Sequence, residues 1–161
     1  QIDCDSLEPQ VAVPASPANN VPVSKIQRDG VDIDQAVVGS CTNGRASDLR
    51  RAAEILEDNS VAPGVKLIVT PATEQIQSKS LAEGWTETFL NAGAIMENPG
   101  CGACFGQRTG ILGPDEVAVS TTNRNFTGRM GDPSSEVFLA SPSVAAASAI
   151  AGQIVHPEEV M

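Results

Sequence analysis

Three cysteines lie in two glycine-rich stretches of the chain, and their spacing suits the binding of one metal centre. Cys101 and Cys104 form a Cys-x-x-Cys pair, and Cys41 lies much earlier in a second stretch. A structural zinc site or an electron-transferring iron–sulfur cluster usually takes four protein ligands, whereas three leave one coordination position for water or substrate. The number of thiols therefore points to Lewis-acid chemistry.

The Cys-x-x-Cys pair alone is also compatible with a redox dithiol or with half of a zinc site. The third thiol, Cys41, favours a metal over a redox pair. A zinc site could recruit the only histidine, His156, but that residue lies in the C-terminal tail, where we expect it to be exposed. An iron–sulfur cluster would explain the glycines as well, because closely approaching backbone amides reduce the cost of its negative charge. Cys4 is interpreted as an unpaired thiol in a short edge strand.

Arginines accompany the cysteines. Four of the seven arginines fall in or beside three loop regions: Arg45, Arg108, Arg124 and Arg129. The planar guanidinium pairs bidentately with a carboxylate, so this group suits a small di- or tricarboxylic acid as ligand. Balancing of neighbouring acidic side chains explains Arg45 and Arg108 equally well. Arg124 and Arg129 lie in one polar run, residues 123–129, which favours a binding role.

Composition limits the class of protein. The chain has 161 residues, of which 41% are hydrophobic and only 3% aromatic, so a single core of Ala, Val, Ile and Leu is expected. The formal charge of −10 argues against nucleic-acid binding through a basic face. We see neither an apolar run long enough to cross a membrane nor a secretory signal, and we expect a reducing, cytoplasmic environment.

Alternating strands and helices must position these residues. We predict strands at 33–38, 65–69, 116–120 and 136–140. Helices are predicted after Ser47, from Thr73 to about Ala92 with a possible restart at Ser80, and from Pro142 to Ile150. Leu81, Trp85 and Phe89 are expected to face the core.

This alternation predicts a three-layer αβα domain with a mostly parallel sheet. Residues 1–30 are expected to form an extended N-terminal segment packed on a domain of residues 31–161, because four prolines interrupt them. The loops at 39–45, 98–106 and 121–129 each follow a predicted strand. They should therefore emerge together at the carboxyl edge of the sheet, where open α/β folds bind ligands.

Three motifs resemble those of the aconitase superfamily, in the same order and at similar spacing. They are VGSCTNGR at 38–45, NPGCGACFG at 98–106 and TTNRNFTGR at 121–129. The segment at 128–133 and the Ala-rich ending resemble the branch that contains the 3-isopropylmalate dehydratase and homoaconitase large subunits more than aconitase itself. The resemblance covers most of the chain, and it implies the aconitase domain fold.

The resemblance implies that Cys41, Cys101 and Cys104 hold a [4Fe–4S] cluster in which one iron has an open coordination position. That iron binds a substrate hydroxyl and carboxylate, and the substrate is dehydrated and then rehydrated at the neighbouring carbon. Asn123, Arg124 and Arg129 match positions near the cluster and the substrate carboxylates. The expected substrate is a small 2-hydroxy di- or tricarboxylate, as in leucine biosynthesis or, for homoaconitase, in lysine or cofactor biosynthesis.

The same resemblance implies missing partners. A large subunit of this kind is considerably longer, and its N-terminal domains and a swivelling small subunit carry the acid–base residues. We therefore expect this chain to be inactive alone. Phe105 stands where an aliphatic residue is usual, and Ala15 and Ala18 lie where some relatives carry His and Asp. A non-catalytic metal-binding or regulatory module is the alternative function.

Overall fold

The computed structural model describes residues 7–161, so Cys4 and the edge strand expected around it lie outside the described residues. The strands are β1 (Gln10–Ala12), β2 (Asn20–Pro22), β3 (Gln35–Gly39), β4 (Lys66–Thr70), β5 (Ile95–Met96), β6 (Val117–Ser120) and β7 (Glu136–Leu139). The helices are α1 (Val23–Asp29), α2 (Ala46–Leu56), α3 (Glu74–Ala82), α4 (Trp85–Asn91) and α5 (Pro142–Ala151). Short 3-10 turns occupy Gly102–Phe105 and Pro157–Glu159.

All strands join one sheet in the order β2-β1-β7-β6-β3-β4-β5. The five strands from β3 to β7 are parallel, and β1 and β2 add an antiparallel hairpin beside β7. In the centre, Gly39 pairs with Thr70, and Val37 pairs with Ser120. The expected α/β class with a mostly parallel sheet is confirmed.

Both faces of the sheet are covered. One face packs Ala36, Val38, Leu67 and Val69 against the apolar sides of α1, α2, α4 and α5. The other face packs Val37, Ala118 and Val137 against Ala103, Leu112 and Met130, which belong to the 3-10 turn and the loops around it. This smaller layer supports the second cysteine stretch. Within residues 7–161, no helix is long and apolar enough to cross a membrane.

Helix α5 packs closely on the sheet because its side chains are small. Ala145, Ala146 and Ala147 are fully buried, and the helix contacts both α2 and β3. The Ser141 side chain caps the helix by accepting a hydrogen bond from the Val144 backbone N–H, with Pro142 in the first turn. The predicted start of this helix is confirmed, and its end lies at Ala151, one residue beyond the prediction.

Two helical predictions need correction. The helix predicted from Thr73 is interrupted at Gly84, which has a φ of 81°, and it restarts at Trp85 rather than at Ser80. Ser80 is instead buried inside α3, where its hydroxyl shares a 2.9 Å hydrogen bond with Thr86. The prediction that Leu81 faces the core is wrong, because this residue is 62% exposed. Because the break makes α3 and α4 separate helices, the apolar face of α4 does not continue along α3. Phe89 on α4 is fully buried, as predicted.

Other boundaries also differ. Helix α2 begins at Ala46 rather than after Ser47, and the Arg45 backbone N–H donates to the Asp48 carboxylate. Within the segment expected to be extended, β1 and β2 agree with that expectation, whereas Val23–Asp29 forms α1. The four prolines suggested extended backbone throughout, but the last of them, Pro22, precedes α1, and none lies inside the helix. The domain boundary at residue 30 stays a prediction.

A pair of leucine variants tests this packing. Leu49 on α2 is fully buried, whereas Leu81 on α3 is largely exposed. Leu49→Ala should lower the free energy of unfolding by about 2–5 kcal/mol because it leaves a cavity. Leu81→Ala should change it by less than about 0.5 kcal/mol. Urea unfolding followed by circular dichroism measures both, and equal losses would contradict the packing described here.

Candidate metal centre

The two cysteine stretches meet at the carboxyl edge of the sheet. Cys41 follows β3, and Cys101 follows β5 through a short loop. Their Sγ atoms lie 3.9 Å apart although 60 residues separate them in the chain. Both residues are exposed, whereas Cys104 is buried in the 3-10 turn. The strand-to-loop pattern therefore brings together the first two thiols as expected.

Both cysteine stretches pack against Thr70, the last residue of β4. A Cβ added to Gly44 would overlap the carbonyl oxygen of Thr70, and a Cβ added to Gly102 would overlap its hydroxyl. Gly44 is held there by its carbonyl, which accepts a 2.9 Å hydrogen bond from the Ala72 N–H. Close backbone approach therefore explains glycine at these two positions.

The third thiol contacts an arginine. Arg129 Nη2 donates to Cys104 Sγ at 3.4 Å, and the guanidinium lies 5.4 Å from the centroid of the Phe126 ring. Arg129 Nε is buried, and it has no hydrogen-bond partner among the described residues. The third loop, which follows β6, thus reaches the Cys-x-x-Cys turn, and it brings a partly buried positive charge to the thiols.

The thiols influence one another electrostatically. The pKa of Cys41 is raised above its ordinary value, chiefly by partial desolvation and then by its hydrogen bond with Cys101. Negative charge on the Cys101 or Cys104 sulfur would raise it further. Thiolates held this close would repel one another, so a bound cationic centre would relieve that repulsion.

The donor set consists of thiols, the ligands that iron–sulfur clusters use, and two of them meet at this edge of the sheet. Within the described part of the chain, no three His, Cys, Asp or Glu side chains converge closely enough to hold one metal ion. His156 does not join the cysteines: its Nδ1 accepts a hydrogen bond from the Glu158 N–H. It lines a cavity of about 680 Å³ together with residues such as Arg51 and Ser141. A zinc site that includes His156 is therefore not formed.

The other predicted arginines have partners away from the thiols or are exposed. Arg124 is exposed, and its Nη1 donates to the Asn123 carbonyl oxygen at 2.6 Å. Arg108 lies 3.7 Å from the Glu97 carboxylate, so it balances an acidic neighbour. Arg45 is exposed at the start of α2. Of the four arginines, only Arg129 directly contacts a thiol in residues 7–161.

Two supporting residues were missed from the sequence. Thr70 directly follows the strand predicted at 65–69, and nothing in its local pattern signals that two remote loops pack on it. Asn125 is buried, and its Nδ2 donates to the carbonyl oxygens of Ala12 and Val13 at 3.2 and 3.1 Å. It lies inside the polar run at 123–129, and its position between Arg124 and Arg129 was the only available signal.

Comparisons with known proteins agree with the motifs. The model of the aconitase family (aconitate hydratase) matches residues 1–152. The 3-isopropylmalate dehydratase large subunit 1 of Pyrococcus furiosus is 56% identical over 161 residues, which is 100% of this chain and 38% of the relative. The large subunit of the same name from Wolinella succinogenes is 54% identical over 160 residues, covering 99% of this chain and 38% of the relative.

A third relative gives the same result. The 3-isopropylmalate dehydratase large subunit of Moorella thermoacetica is 55% identical over 160 residues, again with 99% of this chain and 38% of the relative covered. The chain thus spans about two fifths of the length of the curated relatives it matches. A family model that covers nearly the whole sequence, together with the motifs around Cys41, Cys101 and Arg129, leads to one conclusion: the chain belongs to the aconitase family.

Proposed function

We propose that this chain is the metal-centre domain of a hydro-lyase that isomerises a 2-hydroxy diacid by dehydration and rehydration. Cys41, Cys101 and Cys104 hold a [4Fe–4S] cluster. The observation that carries the proposal is the 3.9 Å approach of the Cys41 and Cys101 thiols, with Arg129 donating to Cys104 beside them. The names of the relatives favour 3-isopropylmalate as the substrate and leucine biosynthesis as the pathway.

When bound, the cluster would supply a Lewis-acidic iron that polarises the substrate hydroxyl and carboxylate. The cysteines act as ligands in their thiolate form, and the surrounding glycines let backbone N–H groups approach the sulfur atoms.

The arginines orient the substrate. Arg124 stands exposed on the rim, with its guanidinium held by the Asn123 carbonyl oxygen, and it is free to pair with a carboxylate. Arg129 donates one hydrogen bond to Cys104 Sγ, so its positive charge stabilises the thiolate and also attracts an incoming anion. Asn123 is exposed beside them and offers a neutral amide. In a chain with a formal charge of −10, these two arginines attract an anion to one place.

Other parts of the enzyme complete the reaction. The base that removes the proton, and further groups that bind carboxylate, belong to additional domains of the large subunit and to a swivelling small subunit. The chain by itself therefore turns over little substrate. Thiolate ligands require a reducing compartment such as the cytoplasm.

Replacement of one ligand tests the cluster assignment. The wild-type chain, reconstituted with iron and sulfide without oxygen, should gain a broad visible absorption and bind iron and sulfide in equal amounts. Cys101→Ser should lose most of this absorption because serine is a poor ligand for the cluster. Zinc without sulfide in the wild-type chain would contradict the proposal. Circular dichroism of both proteins controls for folding.

The glycine contact with Thr70 gives a second test. Gly44→Ala should reduce the amount of cluster bound by several-fold, because the new Cβ would overlap the Thr70 carbonyl oxygen and lie 2.8 Å from Ala72 N. Gly113→Ala is the matched control, since its Cβ would meet only the Glu116 side chain at 3.7 Å. Iron and sulfide analysis after reconstitution measures both, and equal loading would show that this contact does not position the Cys41 loop.

The arginine assignment is tested by substrate affinity in the complete enzyme. Arg124→Lys should weaken binding of a 2-hydroxy diacid by about 10-fold to 100-fold, because lysine cannot form the bidentate pair. Arg50→Lys is the control, since Arg50 is exposed on α2 and pairs with Glu54. The iron content of both variants should equal that of the wild type. An unchanged Michaelis constant in Arg124→Lys would remove this residue from the substrate site.

A further inference from the structure

Thr70 carries a buried hydroxyl that the structure leaves unpaired. The residue is fully buried at the end of β4, and its Oγ1 has no hydrogen-bond partner among residues 7–161. Burial of a hydroxyl is unfavourable unless a partner replaces the water that it has lost. Valine has nearly the same shape and avoids that penalty. The presence of threonine therefore calls for an acceptor that the protein alone does not supply.

The position of this hydroxyl limits what the acceptor can be. Its oxygen faces Gly102, the residue between Cys101 and Ala103, because a Cβ on that glycine would overlap it. The carbonyl oxygen of the same threonine supports Gly39 and Gly44, which flank Cys41. Thr70 thus contacts both cysteine stretches, one through its carbonyl oxygen and the other through its hydroxyl.

We infer that the Thr70 hydroxyl donates its proton to a sulfur of the metal centre held by Cys41, Cys101 and Cys104. This inference rests on the proposed function, since the acceptor arrives only with the cluster. Anionic sulfur is an acceptor that is absent before assembly and present after it. Hydrogen bonds to the sulfur atoms stabilise the cluster and raise its reduction potential. Thr70 is therefore a residue that retains and tunes the cluster, in addition to supporting the loops.

The alternative is that Thr70 acts through its shape alone, as the support on which Gly44 and Gly102 rest. The two roles make different predictions for the protein without cluster. If only shape matters, Thr70→Val should leave both the apo and the loaded protein unchanged. If the hydroxyl donates to sulfur, the same variant should leave the apo protein at least as stable, and it should weaken only the loaded form.

The test compares Thr70→Val with Thr70→Ser after anaerobic reconstitution of the chain. We expect iron to be released from Thr70→Val about 3-fold to 10-fold faster than from the wild type when a chelator is added, as loss of one hydrogen bond predicts. Its reduction potential, measured by a dye-mediated titration, should be lower. Thr70→Ser retains the hydroxyl, and both of its values should stay close to those of the wild type. Urea unfolding of the apo proteins measures stability separately.

Each result decides the question. Equal release rates and potentials in wild type and Thr70→Val overturn the hydrogen bond while the cluster assignment stands. Faster iron release from Thr70→Ser as well as from Thr70→Val also overturns it, because the retained hydroxyl would then not protect the cluster. Marked loss of apo stability in Thr70→Val shows that the hydroxyl already has a partner, which again overturns it.

If Thr70→Val does not fold, Thr70→Ala is compared with Thr70→Ser, since this pair also differs in the hydroxyl. A wild-type chain that binds no cluster overturns the proposed function first, and the inference with it.

Discussion

The parallel pairing of β3 with β4 and β6 is the constraint on which the site depends. With Gly39 beside Thr70 and Val37 beside Ser120, the three central strands end at nearly the same level. The loops that leave them must then share one edge of the sheet. A shift of the register by one residue would turn each inward side chain of these short strands to the opposite face, and the two cores would be lost. The cores thus hold the thiols and the arginine at one place.

The chemistry of the site depends on the balance between negative and positive groups. The pKa of Cys41 is raised chiefly by partial desolvation, and the neighbouring Cys101 thiol adds to this effect. Arg129 opposes this effect from a partly buried position, where water screens its charge less than at the surface. Asn125 fixes the loop between the two arginines by donating to two backbone carbonyls of the hairpin. Local charge, rather than the net charge of the chain, therefore decides what binds here.

Much of this arrangement could be predicted from the sequence because it follows from local patterns. Short apolar runs followed by glycine-rich loops were enough to place Cys41 and Cys101 at one edge. Leu81 could not be placed correctly, because its spacing fits an uninterrupted helix and the break at Gly84 changes its surroundings. Thr70 and Asn125 could not be recognised, since their roles depend on contacts with residues that are remote in the chain. Periodicity reports only on neighbours along the chain, so it cannot reveal a residue that contacts segments remote in sequence.

The ends of the sheet have a consequence for self-association. A row of unpaired backbone groups at a sheet edge can recruit a strand from another molecule, which leads to aggregation. Here one outer strand, β5, has only two residues, and the other, β2, has three and ends in Pro22. Proline offers no N–H to an added strand, and two residues provide little length for pairing. The antiparallel hairpin thus replaces the longer edge that β7 would present with one that is poorly suited to fibril growth.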